Sequence, residues 1–263
     1  GFSLVRHNNL FHYIPIAQIT GTGEGNQFYT LYKDSRGYFW LGGSNGLIRT
    51  GNPGGDTPDA VWYKMNDPVH NLSHNRIRHM YEDRDRRLWM ATDGSVNRYD
   101  YARRQFIRYN IVDSTGRYNA NWAYHLFEDE AGKLWIATCL GGIFVVDKEK
   151  LIRHEGERYV ADFHYTRRQG LSGLFVNQLL PDRSGHVWAL LYNSGDACIN
   201  KIDTAGGRIT PIATDSLTGS ERPGFLLCDE EGLIWAGYRG GVLQIDPTTD
   251  HIRMIPFGAF GRY

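Results

Sequence analysis

The stretch that decides the fold is DEEGLIWAGYRGGV, residues 229–242, which sets an acidic turn, a single tryptophan and a glycine pair side by side. The same arrangement recurs four more times: DSRGYFWLGGSNGL from Asp34, DRDRRLWMATDGSV from Asp83, DEAGKLWIATCLGGI from Asp129 and DRSGHVWALLYNSGDACI from Asp182. Each Asp stands six places ahead of its tryptophan, and Trp40, Trp89, Trp135, Trp188 and Trp235 follow one another at 49, 46, 53 and 47 residues. Repeats of this length belong to propellers or solenoids. No stretch sustains the 3.6-residue apolar period of a helical solenoid.

The local chemistry of the repeat predicts strands. Two and three places before the Asp stand Tyr32 and Leu31, Tyr81 and Met80, Phe127 and Leu126, Leu180 and Leu179, and Leu227 and Leu226. Successive side chains of a strand face opposite ways, so paired apolar residues predict an inner strand covered on both sides. Three places after the Asp comes Gly37, Gly132, Gly185 or Gly232, with Arg86 the exception. That is a type I turn, with the Asp carboxylate taking backbone N–H groups and the glycine supplying positive φ. Two places beyond the tryptophan the residue is Gly42, Ala91, Ala137 or Gly237, and only Leu190 is large. A neighbouring sheet is therefore expected to approach closely there, with the indole filling the gap and its N–H finding a carbonyl partner.

Glycine pairs such as Gly141–Gly142 and Gly240–Gly241 return the chain into a third strand, for example VVD at 145–147 or QID at 244–246. A charged fourth strand, RQFIRY (104–109) or HIRMI (251–255), reads as the outer edge, where arginine opposes pairing with another chain. Four strands and their turns make one blade of an all-β propeller. The expectation is a β-propeller region over 1–263, with five complete blades around the five tryptophans. Residues 1–16 read as the outer strands of an incomplete blade. Since a propeller joins its first blade to its last, the region is expected to be a piece of a longer array.

Composition excludes several partner classes. Lysine plus arginine equals aspartate plus glutamate at 29 each, so no basic field draws nucleic acid or an anionic membrane surface. No apolar run reaches the eighteen or so residues of a membrane-spanning helix. Cys139, Cys198 and Cys228 are odd in number and lack a CxxC spacing, which signals neither a disulfide framework nor a zinc site. They read as small core residues. No charged and apolar leader opens the sequence, so no signal peptide assigns a compartment.

The order D-x-x-G-x-L-W-I-A-T-x-x-G-G-I at Asp129–Ile143, preceded by NANWAYHLFED and followed by a V-D pair, resembles the two-component regulator propeller repeat. The resemblance spans nearly the whole chain. Arg86 in place of glycine and the long LLYNSGDAC segment depart from blade regularity. The resemblance implies the periplasmic sensor region of a Bacteroides-type hybrid two-component system, usually built of paired seven-bladed propellers. The implied neighbours are a further propeller, an immunoglobulin-like domain, a membrane helix, a histidine kinase and a DNA-binding response regulator, in a homodimer. The implied role is non-enzymatic: recognition of an oligosaccharide released from a polysaccharide, with no cofactor or metal.

Candidate ligand-binding residues come from the loops at one end of the blades, where repeat scaffolds carry recognition. Seven places before each Asp stand Gln27, Arg76, Trp122, Phe175 and Arg222. Arg117, Tyr118 and Asn121 lie in DSTGRYNANW, Tyr192, Asn193 and Asp196 in the enlarged fourth-blade loop, and Tyr238 with Arg239 in GYRGG. Aromatic faces suit sugar rings, amides and carboxylates suit hydroxyls, and arginine suits carboxylate or sulfate. The plain alternative is that each simply shapes a loop.

Catalysis is the competing class, as a propeller lyase or glycoside hydrolase. The closest histidine pairs, His70 with His74 and His74 with His79, lack a helix to align them on a metal. His79 and His125 both fall four places before the Asp and read as blade structure, and Glu82, Asp83, Glu128 and Asp129 read as turn carboxylates rather than a glycosidase pair. Sialidase chemistry would need a three-arginine cluster with a nucleophilic tyrosine, which the spacing does not assemble. A third class, a protein-interaction propeller, would show a broad apolar or charged face instead of a pocket.

Overall fold

The computed structural model describes residues 2–5, 11–15, 17, 24–53, 59–192, 198–219 and 221–260. Strand accounts for 48% of the chain and helix for 7%, which makes it all-β. β1 (Phe2–Val5) and β2 (Phe11–Ile14) form a two-stranded antiparallel sheet. The first full blade holds β3 (Phe28–Lys33), β4 (Phe39–Gly43), β5 (Gly46–Thr50) and β6 (Val61–Tyr63), and the second holds β7 (Ile77–Glu82), β8 (Leu88–Thr92), β9 (Val96–Asp100) and β10 (Gln105–Val112). Next come β11 (Ala123–Glu128), β12 (Lys133–Thr138) and β13 (Ile143–Asp147), then helix α1 (Lys148–Arg153), β14 (Arg158–Val160) and β15 (Phe163–Tyr165). The last two blades are β16 (Val176–Pro181), β17 (His186–Leu191), β18 (Ile199–Asp203) and β19 (Ile209–Ile212), then β20 (Phe225–Cys228), β21 (Ile234–Tyr238), β22 (Gly241–Ile245) and β23 (Ile252–Pro256). A short helix α2 (Asp215–Thr218) precedes the last of them.

The contacts divide the chain into two compact units. The first comprises Gly1–Ile111, Asn121–Leu126 and Leu151–Tyr159, and the second comprises Val112–Ala120, Phe127–Lys150 and Val160–Tyr263. In the first, inner strand β3 packs on β7, around Trp40, Leu47, Ile77, Met80, Leu88 and Tyr99. In the second, β12 packs on β16 and β16 on β20, with Trp188, Leu190, Ile199, Leu226, Ala236 and Leu243 in the core.

The Asp-to-Trp spacing has a specific physical cause. In every motif the indole N–H donates to a carboxylate oxygen of the Asp six residues earlier: Trp40 to Asp34 at 2.7 Å, Trp89 to Asp83 at 2.9 Å, Trp135 to Asp129 at 2.7 Å, Trp188 to Asp182 at 2.8 Å and Trp235 to Asp229 at 2.6 Å. The expected carbonyl partner is thus replaced by a charged acceptor, which makes the bond roughly twice as strong. The other carboxylate oxygen of Asp34 takes the backbone N–H groups of Arg36 and Tyr38. One side chain therefore closes the turn and pins the spacer. These bonds hold Asp229 below the ordinary carboxylate range, led by the one from Trp235. Trp40, Trp89 and Trp188 are fully buried, while Trp235 is partly exposed.

Turn glycines Gly37, Gly132, Gly185 and Gly232 all adopt positive φ, and Arg86 does so too at 60°, paying the steric penalty its glycine counterparts avoid. Gly42 shows the close approach expected beyond the tryptophan: a Cβ there would lie 2.8 Å from the Ile77 side chain. Two expectations need correcting. Inner strands are not all covered on both faces, because Leu31 is 56% exposed on β3, and Phe225 and Leu227 are 51% and 55% exposed on β20. Nor is RQFIRY an outer edge, since β14 adds a fifth strand in the order β14-β10-β9-β8-β7. An open edge offers unpaired N–H and C=O groups, and a later segment of the same chain takes them up. Of the cysteines, Cys139 and Cys198 are buried and Cys228 is partly so, all as free thiols.

Candidate functional site

In three of the blades the backbone brings two variable positions together. The residue ten places after the Asp donates its N–H to the carbonyl of the residue seven places before it: Ser44 to Gln27 at 2.9 Å, Asp93 to Arg76 at 3.3 Å and Tyr192 to Phe175 at 2.9 Å. Their side chains therefore emerge as neighbours at the loop end of the hairpin. Just inside, the inner strands carry bulges between 28 and 30, between 77 and 79, and between 176 and 178. A bulge re-aims the extra side chain, here Tyr29, Arg78 and Asn177.

In the first unit these positions build a connected site around Asp93. Arg78 grips its carboxylate in bidentate fashion, Nε to Oδ1 at 2.7 Å and Nη2 to Oδ2 at 3.1 Å, and Arg76 Nη1 reaches Oδ2 at 3.4 Å. The Arg78 guanidinium lies 4.4 Å from the Tyr124 ring centre and 5.4 Å from that of Tyr29. Burial opposes its charge, but the hydrogen bonds and charge of Asp93 outweigh that and lift its pKa above the usual arginine value. The Asp93 carbonyl accepts the Trp122 N–H at 3.2 Å. Trp122 sits in the left-handed region at φ 53° with half its surface in solvent. A left-handed non-glycine residue costs about 1–2 kcal/mol, and leaving a large ring exposed forgoes burial energy as well. Asn121, also exposed, precedes it. Together they offer a flat aromatic face, a half-exposed arginine in Arg76 and a fixed carboxylate.

The other sequence candidates fall elsewhere. Phe175 and Tyr192 pack at 5.2 Å with Arg222 at 5.8 Å from the Tyr192 ring, a second aromatic and cationic cluster within the second unit. Arg117 and Tyr118 line a separate groove of that unit. Arg239 is exposed in its loop. Tyr238 is 5% exposed and packs within the core of the second unit. Asn193 and Asp196 lie outside the described residues. Sequence reasoning missed Asp93, Arg78, Tyr29 and Tyr124. Comparing the positions ten after and five before the Asp across all five motifs would have found them.

The groups considered for catalysis are engaged in structure. Glu128 takes the Lys148 ammonium at 2.7 Å in a buried pair, and Glu82 accepts both the N–H and the hydroxyl of Ser35 at 2.8 Å. His79 and His125 stack with ring centres 3.8 Å apart. His79 Nδ1 accepts the Leu126 N–H at 3.4 Å, while His125 Nδ1 is sealed from solvent without a hydrogen-bond partner. Burial lowers the His79 pKa to about 4, and burial together with the neighbouring ring lowers that of His125 well below its ordinary value. Among the described residues no three His, Cys, Asp or Glu side chains gather as a metal site.

Repeated four-stranded blades held by Asp-anchored indoles define a β-propeller. Residues 22–45 and 71–94 match the two component regulator propeller family. Two structures of the extracellular domain of BT4673 from B. thetaiotaomicron, described as a putative one component system and a putative hybrid two component system, share 56% identity with it at TM-scores of 0.88 and 0.89. They align over 95% of this chain and 33% of theirs, so this chain spans about a third of their length. The extracellular domain of the putative hybrid two component system BT3049, also from B. thetaiotaomicron, has the same fold at 16% identity and a TM-score of 0.72, over 92% of this chain and 31% of that one. No protein of curated function matches in sequence. The chain is thus homologous to the extracellular region of a hybrid two-component sensor. Among the described residues no helix is long and apolar enough to cross a membrane.

Proposed function

We propose that this propeller is a non-enzymatic, periplasmic sensor segment that recognises an oligosaccharide and passes the binding event to a kinase elsewhere in its full-length protein. The observation that carries this reading is Trp122: an exposed indole, held in a strained backbone conformation and tied to the Asp93 carbonyl, beside a carboxylate that fixes Arg78 and Arg76. Strain kept at an exposed aromatic residue points to use rather than packing. A sugar ring stacks on such a face while its hydroxyls meet Arg76 and Asn121, with the buried Asp93 holding the arginines from beneath. Binding shifts a signalling equilibrium only through unequal affinity for its two states. The engagement of Glu82, Glu128 and the motif aspartates in the fold supports sensing over hydrolysis.

Titration calorimetry of the chain against a panel of oligosaccharides, with chromatography of the same mixtures, tests the proposal. Binding that disappears in Trp122→Ala, with no cleavage products, is the expected result. Turnover of any member of the panel overturns it.

A further inference from the structure

Independently of the Trp122 site, the second unit contains a groove of about 740 Å³ between two rims, residues 113–118 and 161–169. Its size falls within the range of small-ligand pockets. Both rims are closed by local hydrogen bonds. On the first, Asp113 accepts the Tyr118 N–H at 2.8 Å, the Thr115 N–H at 3.2 Å and the Thr115 hydroxyl at 2.5 Å. On the second, Thr166 and Gln169 form a reciprocal cap that fixes Arg167 and Arg168. The Ala161 N–H bonds to the Val112 carbonyl at 2.8 Å and ties the rims together.

The groove is lined by Arg117, Arg167 and Arg168, and none of them has a carboxylate within ion-pairing distance among the described residues. The lining also carries two carboxylates, Asp113, which caps its own turn, and Asp162, which accepts the Asp147 N–H at 2.7 Å and lies 4.0 Å from the Lys150 ammonium, so the arginines exceed them by one charge. Between the rims stand Tyr118 and His164, with rings 5.4 Å apart, and an exposed Phe163. His164 Nε2 lies 2.6 Å from the Gly141 carbonyl, which can only accept. Nε2 therefore donates to that carbonyl. Three guanidinium groups without an ion-pair partner, beside aromatic rings, suit a ligand with both an oxyanion and a carbohydrate face, because arginine matches carboxylate and sulfate oxygens in pairs.

We propose that this groove binds an acidic oligosaccharide, carrying a uronate carboxylate or a sulfate ester, through Arg117, Arg167 and Arg168, with Tyr118 and Phe163 against the sugar. It is a second site, and it adds acidic charge to the ligand class read from Trp122.

The test is calorimetry of the full chain with four probes: a tri-galacturonate, a sulfated disaccharide, a neutral trisaccharide and sodium sulfate. Binding of at least one acidic saccharide is expected, weakened about tenfold or more in Arg117→Gln/Arg168→Gln, since each lost charge-assisted pair is worth at least that factor. Both arginines are exposed, so the double variant should fold, which its thermal melt checks. Which acidic probe binds separates carboxylate from sulfate recognition. The proposal falls if neither acidic saccharide binds, if the double variant binds them undiminished, or if sodium sulfate binds as tightly as the saccharide. Neutral saccharide binding that is lost in Trp122→Ala, with no acidic binding, would leave the sensor reading standing and remove only this one.

Discussion

The stacked histidines make a quantitative prediction about acid stability. At neutral pH both rings are uncharged, and protonating either puts a cation 3.8 Å from its partner's centre. Protonation of His79 also removes the acceptor for the Leu126 N–H. Its folded pKa of about 4 lies below the ordinary histidine value near 6.5, so between these limits the unfolded chain binds a proton that the folded chain refuses. Stability is therefore complete above about pH 6.5, falls as the pH drops toward 4, and loses nothing further to this residue below that. The gap of about 2.5 pH units corresponds to about 3 kcal/mol in all, of which about 2 kcal/mol is lost by pH 5. Asp113 leaves this window clear, since hydrogen bonds in its turn hold it at about 2 against the effect of burial, so its own loss comes at lower pH. The control is built into the repeat. At the equivalent position Gln178 both donates to the Leu226 carbonyl and accepts the Leu226 N–H, each at 2.8 Å. His79→Gln can make the same pair with Leu126 without titrating. Urea denaturation followed by tryptophan fluorescence at about pH 7.5 and about pH 5 should show the variant losing about 2 kcal/mol less than the wild-type chain, since the loss from buried His125 is common to both. Equal losses in the two proteins would refute the assignment.

Three further substitutions test the repeat. Arg86→Gly relieves the only left-handed non-glycine residue at that turn position, so it should stabilise by about 1 kcal/mol and raise the melting temperature by about 2–4 °C in differential scanning calorimetry. Asp34→Ala strands the Trp40 N–H, the Tyr101 hydroxyl and two backbone N–H groups at a buried position; urea titration should show a loss of about 3–5 kcal/mol, and Asp34→Asn a smaller one. Lys148→Met removes the ammonium that Glu128 holds at 2.7 Å in a buried pair, which should cost about 3–5 kcal/mol at neutral pH, with part of the loss recovered in Lys148→Met/Glu128→Leu.

The blades were legible because their signals are local. An Asp that caps its own turn and then meets an indole six residues on imprints a fixed spacing, and the strands on either side follow from pairwise apolar positions. What was not legible depends on neighbours. Leu31 and Leu227 carry the same sequence signal as Met80 and Leu226, yet they are exposed while the latter are buried, since burial of an inner strand requires a sheet on each side. The β14 strand is three residues long and carries no repeat signal, so its pairing with β10 is a tertiary event. Of the candidate site, Arg76 and Trp122 were visible as large residues at a shared repeat position. Asp93 was not, because a carboxylate in a turn sequence reads as turn chemistry until its arginine partners are placed.

The variable positions divide from the invariant ones in a way that structure alone does not require. The bond from the tenth residue after the Asp to the seventh before it runs between backbone atoms, so any side chain would serve it, and Ser44 with Gln27 does so without further contacts between charged groups. At Asp93 and Arg76 the same backbone link carries a carboxylate that holds two guanidinium groups, with Trp122 in a conformation a glycine would adopt at no cost. A rim shaped only for folding would lose nothing by substituting Ser44-like and glycine-like residues at these places, and would gain the energy now held as strain and exposed apolar surface. That the chain keeps the costlier set in one blade pair, while satisfying the identical backbone geometry cheaply in another, is the physical argument behind proposing a ligand site at this rim.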